Sequence, residues 1–201
     1  MTARKWLVQR TNAGYVSYLS KALSVSPAVS QVLINRGVKT PGDAEVFFRA
    51  SVNDLCDPFS IGGVGPAVDI LKRASKNGTR VLVHGDYDAD GVTATAIMVG
   101  TLRRLGIDVC YHVPNRFTEG YGFNASGVRK AKEAGAGLIV TVDCGISSFE
   151  AVDKAKKEGI GVIVTDHHEP SLDPMTGLPV LPDALCVINP KVSNPQMECP
   201  S

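Results

Sequence analysis

From residue 66 onward the chain alternates between two hydrophobic patterns. Continuous runs of β-branched and aliphatic residues, VLV from 81, LIVTV from 138 and VIV from 162, lack the polar alternation of a half-exposed strand, as strands do when both faces of their sheet are covered. They predict strands over 81–84, 138–142 and 162–164, joined by others over 108–113 and 185–188, the last just ahead of Asn189-Pro190. The intervening segments carry apolar residues at helical spacing, which predicts helices over 66–76, from about 92 to 105, from about 126 to 134 and over 147–157. Such strands, separated by helices, assemble as a doubly wound, mainly parallel sheet flanked by helices, so the fold class is α/β.

Ahead of residue 66 the pattern is different and reads as short helices. Ser26-Pro27 places a cap residue before a proline at the first helical position, Val29, Val32 and Leu33 follow, and Gly37 stands where the helix would stop. Thr40-Pro41-Gly42-Asp43 repeats the start signal before Val46, Phe47 and Phe48. The Gly- and Pro-rich stretch 58–66 punctuates the chain, giving a helical leader over 1–65 and an α/β domain over 66–201.

Composition narrows the function classes. Among 201 residues, 21 Lys and Arg face 20 Asp and Glu for a net charge of +1, and 44% are hydrophobic, which excludes disorder and binding by sheer basicity. No uncharged stretch, 91–102 included, is long enough to span a bilayer, and no charged, apolar leader opens the chain; the expectation is a cytoplasmic protein without a membrane partner. Cys56, Cys110, Cys144, Cys186 and Cys199 form no CxxC pair, and Cys110, Cys144 and Cys186, in or beside apolar runs, read as buried reduced thiols of a reducing compartment.

The acidic and imidazole groups fall at particular places. Asp86, Asp88 and Asp90 follow the first predicted strand, Asp143 ends the third, and Asp166, His167 and His168 follow the fourth. In an open parallel sheet the carboxyl ends of the strands share one edge, so these groups converge on one crevice. Taken singly, each has a plainer use: an Asp after a strand is often a helix cap, and a His pair often decorates a surface. Their recurrence at corresponding strand ends favours a joint role, because so many carboxylates either raise one another's pKa or hold divalent cations. Carboxylate with imidazole suits Mn²⁺, with Mg²⁺, Co²⁺ or Fe²⁺ as alternatives, and a pair of such ions suits phosphoester hydrolysis.

Three lookalikes fail. The run from Asp86 to Gly91 opens like an EF-hand loop, but its twelfth position is Ile97 where a bidentate Glu is needed. DADGVT from 88 resembles the nucleophile motif of haloacid-dehalogenase phosphatases, yet that reading leaves His84, Asp86 and the Asp-His-His run unused. GGVG from 62 follows no strand and lacks the GxGxxG spacing of a nucleotide loop.

With these residues assembled, the chain resembles the DHH phosphoesterases, and within them most closely the bacterial single-strand-specific exonucleases. The matching segments are VHGDYDADG at 83–91, PNRFTEGYG at 114–122, VTVDCG at 140–145, VTDHH at 164–168 and VINPK at 187–191, with LINRG at 33–37 in the leader. The resemblance implies a Mn²⁺- or Mg²⁺-dependent 5′ to 3′ exonuclease with two ions, single-stranded DNA as substrate, and repair and recombination proteins as partners. It makes Asp88, Asp90, Asp143 and His167 metal ligands, with Asp143 bridging the two ions, and sets Asp86 and His84 at or just outside the ions. His168 would contact the scissile phosphate or steer a proton, Asp166 would orient an imidazole, and Arg116 would grip a phosphate; a salt bridge is the plainer use of Arg116.

The family also carries a fourth motif with a further ligand Asp and a C-terminal lobe, whereas this sequence stops at Ser201, shortly after INPK. The expectation is an N-terminal fragment, its C-terminal lobe absent, with impaired activity. Two other functions remain open: hydrolysis of small nucleotides or oligoribonucleotides, and a non-catalytic strand- or partner-binding protein. The leader and PNRFTEGYG favour the single-strand exonuclease, and the intact aspartates and histidines speak against lost chemistry.

Overall fold

The first helices begin where side chains can satisfy free backbone N–H groups. In the computed structural model, which describes residues 11–192, α1 (Ala13–Leu23) is capped by Asn12 and α2 (Pro27–Asn35) by Ser26. At α3 (Pro41–Phe48) the Thr40 hydroxyl accepts from the Asp43 N–H at 3.0 Å and the Asp43 carboxylate accepts from the Thr40 N–H at 2.9 Å. Each such cap contributes about 1 kcal/mol. Leu19, Leu33, Val38 and Ala44 form a small core of their own.

These helices belong to a compact unit that ends at Leu55, and a second unit begins at Cys56. The stretch 58–66 therefore belongs to the second unit, where the Gly63 carbonyl accepts the Cys186 thiol at 3.0 Å. After it come α4 (Val64–Lys76), β1 (Val81–His84), α5 (Ala89–Arg104), β2 (Val109–His112), α6 (Ala125–Glu133) and β3 (Leu138–Val142). Then follow α7 (Phe149–Lys157), β4 (Gly161–Thr165), β5 (Ser171–Leu172), β6 (Pro179–Val180) and β7 (Cys186–Ile188). Five strands make one parallel sheet in the order β2-β1-β3-β4-β7, the α/β architecture expected. The short β5–β6 pair is an antiparallel hairpin that the sequence pattern did not suggest; its turn is set by the Asp173 carboxylate, which accepts from the Met175 and Thr176 N–H groups at 2.8 Å.

Alternation along each strand sends side chains to two cores. Val81, Val83, Leu138 and Val140 pack with Val99 and Leu102 of α5, while Leu82, Ile139 and Val162 pack with Val128 of α6 and Val152 of α7. Each fully buried Val, Leu or Ile contributes about 1.5–3 kcal/mol, and both faces are covered by helices, as an all-parallel sheet requires. Ile139 is 0% exposed at the centre of the second core. Ile139→Ala is therefore expected to cost about 2–5 kcal/mol, read as a lowered urea midpoint at unchanged slope; a loss below about 1 kcal/mol would place Ile139 outside the core that holds the sheet.

Candidate metal centre

The sheet order fixes where a site can form. The chain leaves β1 toward β2 on one side and later returns to β3 on the other, so the order reverses between β1 and β3 and opens a crevice at their carboxyl ends. The register sets His84 beside Thr141, Val142 beside Thr165 and Thr165 beside Ile188, so the strand ends are level and the loops after them meet.

The loop after β1 turns at once into α5, which begins at Ala89, ahead of the 92 expected. The cause is Asp88, whose Oδ1 accepts from the Gly91 N–H at 3.0 Å and so starts the helix through a pair, Asp90 and Gly91, that helix interiors disfavour. Gly91 is required there, because a Cβ on it would stand 2.5 Å from the backbone N and O of Asp86. The loop folds tightly enough to bury Asp86, 1% exposed, with its Oδ1 unpartnered.

Asp143 follows β3 with φ at 60°, a left-handed conformation that Asp tolerates better than most residues. One of its oxygens lies 2.9 Å from His167 Nε2, the other is buried without a partner, and its carboxyl abuts that of Asp88. Burial and then the Asp88 charge push the Asp143 carboxyl above its ordinary range, whereas the Gly91 N–H leads in holding Asp88 below it. Two adjacent carboxylates with an orphaned oxygen between strand ends suit a cation.

Asp166 has a different setting. Its carboxylate accepts from the N–H groups of Ile146 at 2.9 Å, His167 at 2.7 Å and His168 at 3.0 Å, and from His168 Nδ1 at 2.7 Å. Burial alone would raise its pKa, but the hydrogen bonds from His168, Ile146 and His167 together outweigh that and hold it below the ordinary value. An ionised Asp166 only accepts, so His168 carries its proton on Nδ1 and presents Nε2 to the crevice, 3.4 Å from the Tyr121 hydroxyl. The same loop is tied to the end of β7, since Asn189 Nδ2 donates to the His168 carbonyl at 2.9 Å and Lys191 pairs with Glu169 at 2.7 Å.

Asp143, His167 and His168 each offer a donor atom within 4.8 Å of the others. Asp90 joins Asp143 and His167 around an open depression of about 430 Å³, and His168 and Asp166 border a larger one of about 1140 Å³ on the other side. The donor set is carboxylate and imidazole; the nearest thiol, Cys144, is buried with its pKa pushed up and donates toward the His84 carbonyl at 3.7 Å. These residues fit a hard divalent cation such as Mn²⁺ or Mg²⁺ and do not fit a thiolate site.

His84 is not brought to this cluster. Strand alternation turns its side chain the same way as Leu82, beneath α6, where it is 0% exposed and its Nε2 lies 3.3 Å from the Gly122 carbonyl. Burial pushes its pKa down to about 4, so the imidazole is neutral. Arg116 forms no salt bridge among the described residues; its guanidinium carbon stands 5.2 Å over the Tyr87 ring. Tyr87 meets Tyr121 edge to face at 6.1 Å, and Tyr121 meets His168 at 6.3 Å, so an Arg–Tyr–Tyr series leads to the site. Burial, then the charges of Asp86, Asp166 and Asp143, push the Tyr121 hydroxyl up to about 12 and keep it protonated. The sequence carries no sign of this series, because Tyr87 and the Arg116–Tyr121 pair come from two loops with no shared period.

Comparison with known proteins agrees with this arrangement. The profile of the "DHH family, N-terminal domain" matches residues 80–199. The single-stranded-DNA-specific exonuclease RecJ of Bacillus subtilis is 40% identical over 187 residues, covering 93% of this chain and 23% of that protein. RecJ of Escherichia coli is 43% identical over 167 residues, covering 83% and 27%. The chain thus spans about a quarter of the length of these curated relatives. Among solved structures, exonuclease RecJ bound to manganese superposes with a TM-score of 0.62 at 38% identity, covering 72% of this chain and 35% of that one. RecJ from Thermus thermophilus in complex with Mn²⁺ gives 0.63 at 30% identity, covering 96% and 26%. A parallel sheet whose switch point gathers the aspartates, a DHH loop tied down by Asp166, and a family profile spanning both leave one conclusion: the chain belongs to the DHH family.

Proposed function

We propose that the chain forms the metal-binding part of a Mn²⁺- or Mg²⁺-dependent phosphodiester hydrolase that removes nucleotides from single-stranded DNA in the 5′ to 3′ direction, in the cytoplasm and in the service of repair and recombination. The observation that carries the reading is Asp143, set against Asp88 and His167 with one oxygen buried and unpartnered. Asp143, Asp88, Asp90 and His167 would hold the ions, with Asp86 beneath them. When bound, two such ions stabilise the charge that develops on a phosphodiester during displacement. His168, its tautomer set by Asp166, directs Nε2 to where a proton is gained or lost. The names of the relatives support a single strand as substrate, and so does the Arg116–Tyr87–Tyr121 series. A guanidinium can grip phosphate oxygens, and an exposed aromatic face adds about 1–3 kcal/mol per stacked base.

Mn²⁺ at about 100 times its dissociation constant is expected to stabilise the protein by about 2.7 kcal/mol, a rise in Tm of about 5–10 °C. No rise in thermal melts, with no metal by elemental analysis after dialysis against Mn²⁺, would sink the site. Nucleotide release is then compared on a 5′-phosphorylated single-stranded oligonucleotide, its duplex and a dinucleotide. Preference for the dinucleotide would move the protein to the small-nucleotide class.

A further inference from the structure

The segment 113–124, which carries Arg116 and Tyr121 to the crevice, meets histidines on neighbouring strands at both of its feet and is hydrogen-bonded by one of them. At one foot His84 Nε2 lies 3.3 Å from the Gly122 carbonyl, and the Phe123 ring meets the imidazole edge-on at 5.1 Å. The fit depends on Gly127 of α6, where a Cβ would come within 2.6 Å of His84 Nδ1. At the other foot His112 Nε2 stands 3.3 Å from Glu119 Oε1 without a hydrogen bond, and the second Glu119 oxygen accepts from the Asn115 N–H at 2.9 Å. Asn124 closes the segment on itself, its Nδ2 donating to the carbonyls of Glu119 at 2.9 Å and Gly122 at 3.4 Å. The two rings are neighbours, with centroids 5.2 Å apart.

We infer that His84 is a positioning residue: it donates its Nε2 proton to the Gly122 carbonyl, fixes the segment that sets Tyr121 beside His168 and Arg116 over Tyr87, and takes no part in holding metal. Strand handling by that segment rests on the function proposed above, whereas the fastening itself rests on geometry alone. Glycines at 120 and 122, both with positive φ, leave the segment little stiffness of its own, so an anchor is needed where the Tyr121 ring turns toward the site.

The test uses the full chain with His84→Leu, which fills the space without a donor, and His84→Gln, whose amide nitrogen reaches as far as Nε2. Hydrogen exchange over 114–124, trypsin cleavage after Arg116 and the Mn²⁺-induced rise in Tm are measured for each. With His84→Leu, exchange and cleavage in the segment are expected to quicken about five- to tenfold while β3 amides stay protected, since one hydrogen bond is lost locally. His84→Gln restores protection, and the Mn²⁺ shift is the same in all three proteins. Should His84→Leu not fold, His84→Asn, polar but too short to reach Gly122, replaces it with the same expectation. Loss of the Mn²⁺ shift in His84→Leu and His84→Gln alike would make His84 a ligand. Faster exchange throughout the sheet would reduce it to core packing, and an unchanged segment would show that the contact anchors nothing. Weakened oligonucleotide binding by His84→Leu joins the inference to the proposed function. Absence of oligonucleotide binding in the unaltered protein would overturn that function while the exchange result still decides the anchor.

Discussion

Asp143→Asn is expected to erase the Mn²⁺-dependent rise in Tm while leaving the metal-free protein as stable as before or more so. Asn accepts the His167 hydrogen bond as Asp does and tolerates the left-handed φ of 60°, so the fold loses little. It also ends the repulsion with Asp88. The sign follows from the raised pKa of Asp143: a carboxyl whose folded-state pKa lies above its unfolded value adds stability below the unfolded pKa, and loses that advantage as pH rises through the folded pKa. At neutral pH, without metal, the charge on Asp143 therefore works against the fold, and Asn at this position removes that pH-dependent loss. Melts from pH 3 to 7 in chelator, with and without Mn²⁺ for both proteins, check both halves. A retained Mn²⁺ shift in Asp143→Asn would show that the ions sit elsewhere.

His168→Ala is expected to lower nucleotide release by about 10²–10⁴-fold, the range for losing a general acid or base, while most of the Mn²⁺ shift survives. The geometry behind this is the fixed tautomer: Nδ1 is committed to Asp166, leaving Nε2 as the working nitrogen beside the Tyr121 hydroxyl. Asp166→Asn should fall with it, because an amide cannot accept at full charge from His168 Nδ1 and three backbone N–H groups. Single-turnover release from a 5′-phosphorylated strand at saturating Mn²⁺ measures the loss. If His168→Ala abolishes the Mn²⁺ shift as well, His168 belongs with Asp143 and His167 as a ligand, and its role in proton transfer falls.

The parts of the molecule legible in the sequence are those set by local rules. The strands at 81–84 and 138–142 match β1 and β3 because an unbroken β-branched run between helices has few other uses, and the edge at which the aspartates meet follows from parallel pairing. The start of α5 departs from its expected place because Asp90 and Gly91 look like loop residues until the Asp88 cap is seen. The displacement of His84 from the metal cluster is within reach of the sequence: a period of two puts it on the same face as Leu82, toward a helix and not toward the strand end. Neither the positive φ of Asp143 nor the stacking of Arg116 on Tyr87 leaves any trace in a linear pattern: the first is a backbone conformation without periodicity, and the second arises only when loops from different strands are brought side by side.

Asp88 and Asp143 stand carboxyl to carboxyl, yet mutational drift would treat them unequally. Asp88 starts α5 through the Gly91 N–H, so a chain that had given up chemistry would still be selected to keep it, or a Ser or Asn in its place. Asp143 offers the bare fold nothing comparable: it is backbone-strained, repelled by its neighbour and left with an idle oxygen. Relaxed selection would favour Gly or Asn in its place, both of which suit a positive φ. Of the two, the aspartate at 143 is therefore the one whose retention would point to an ion site.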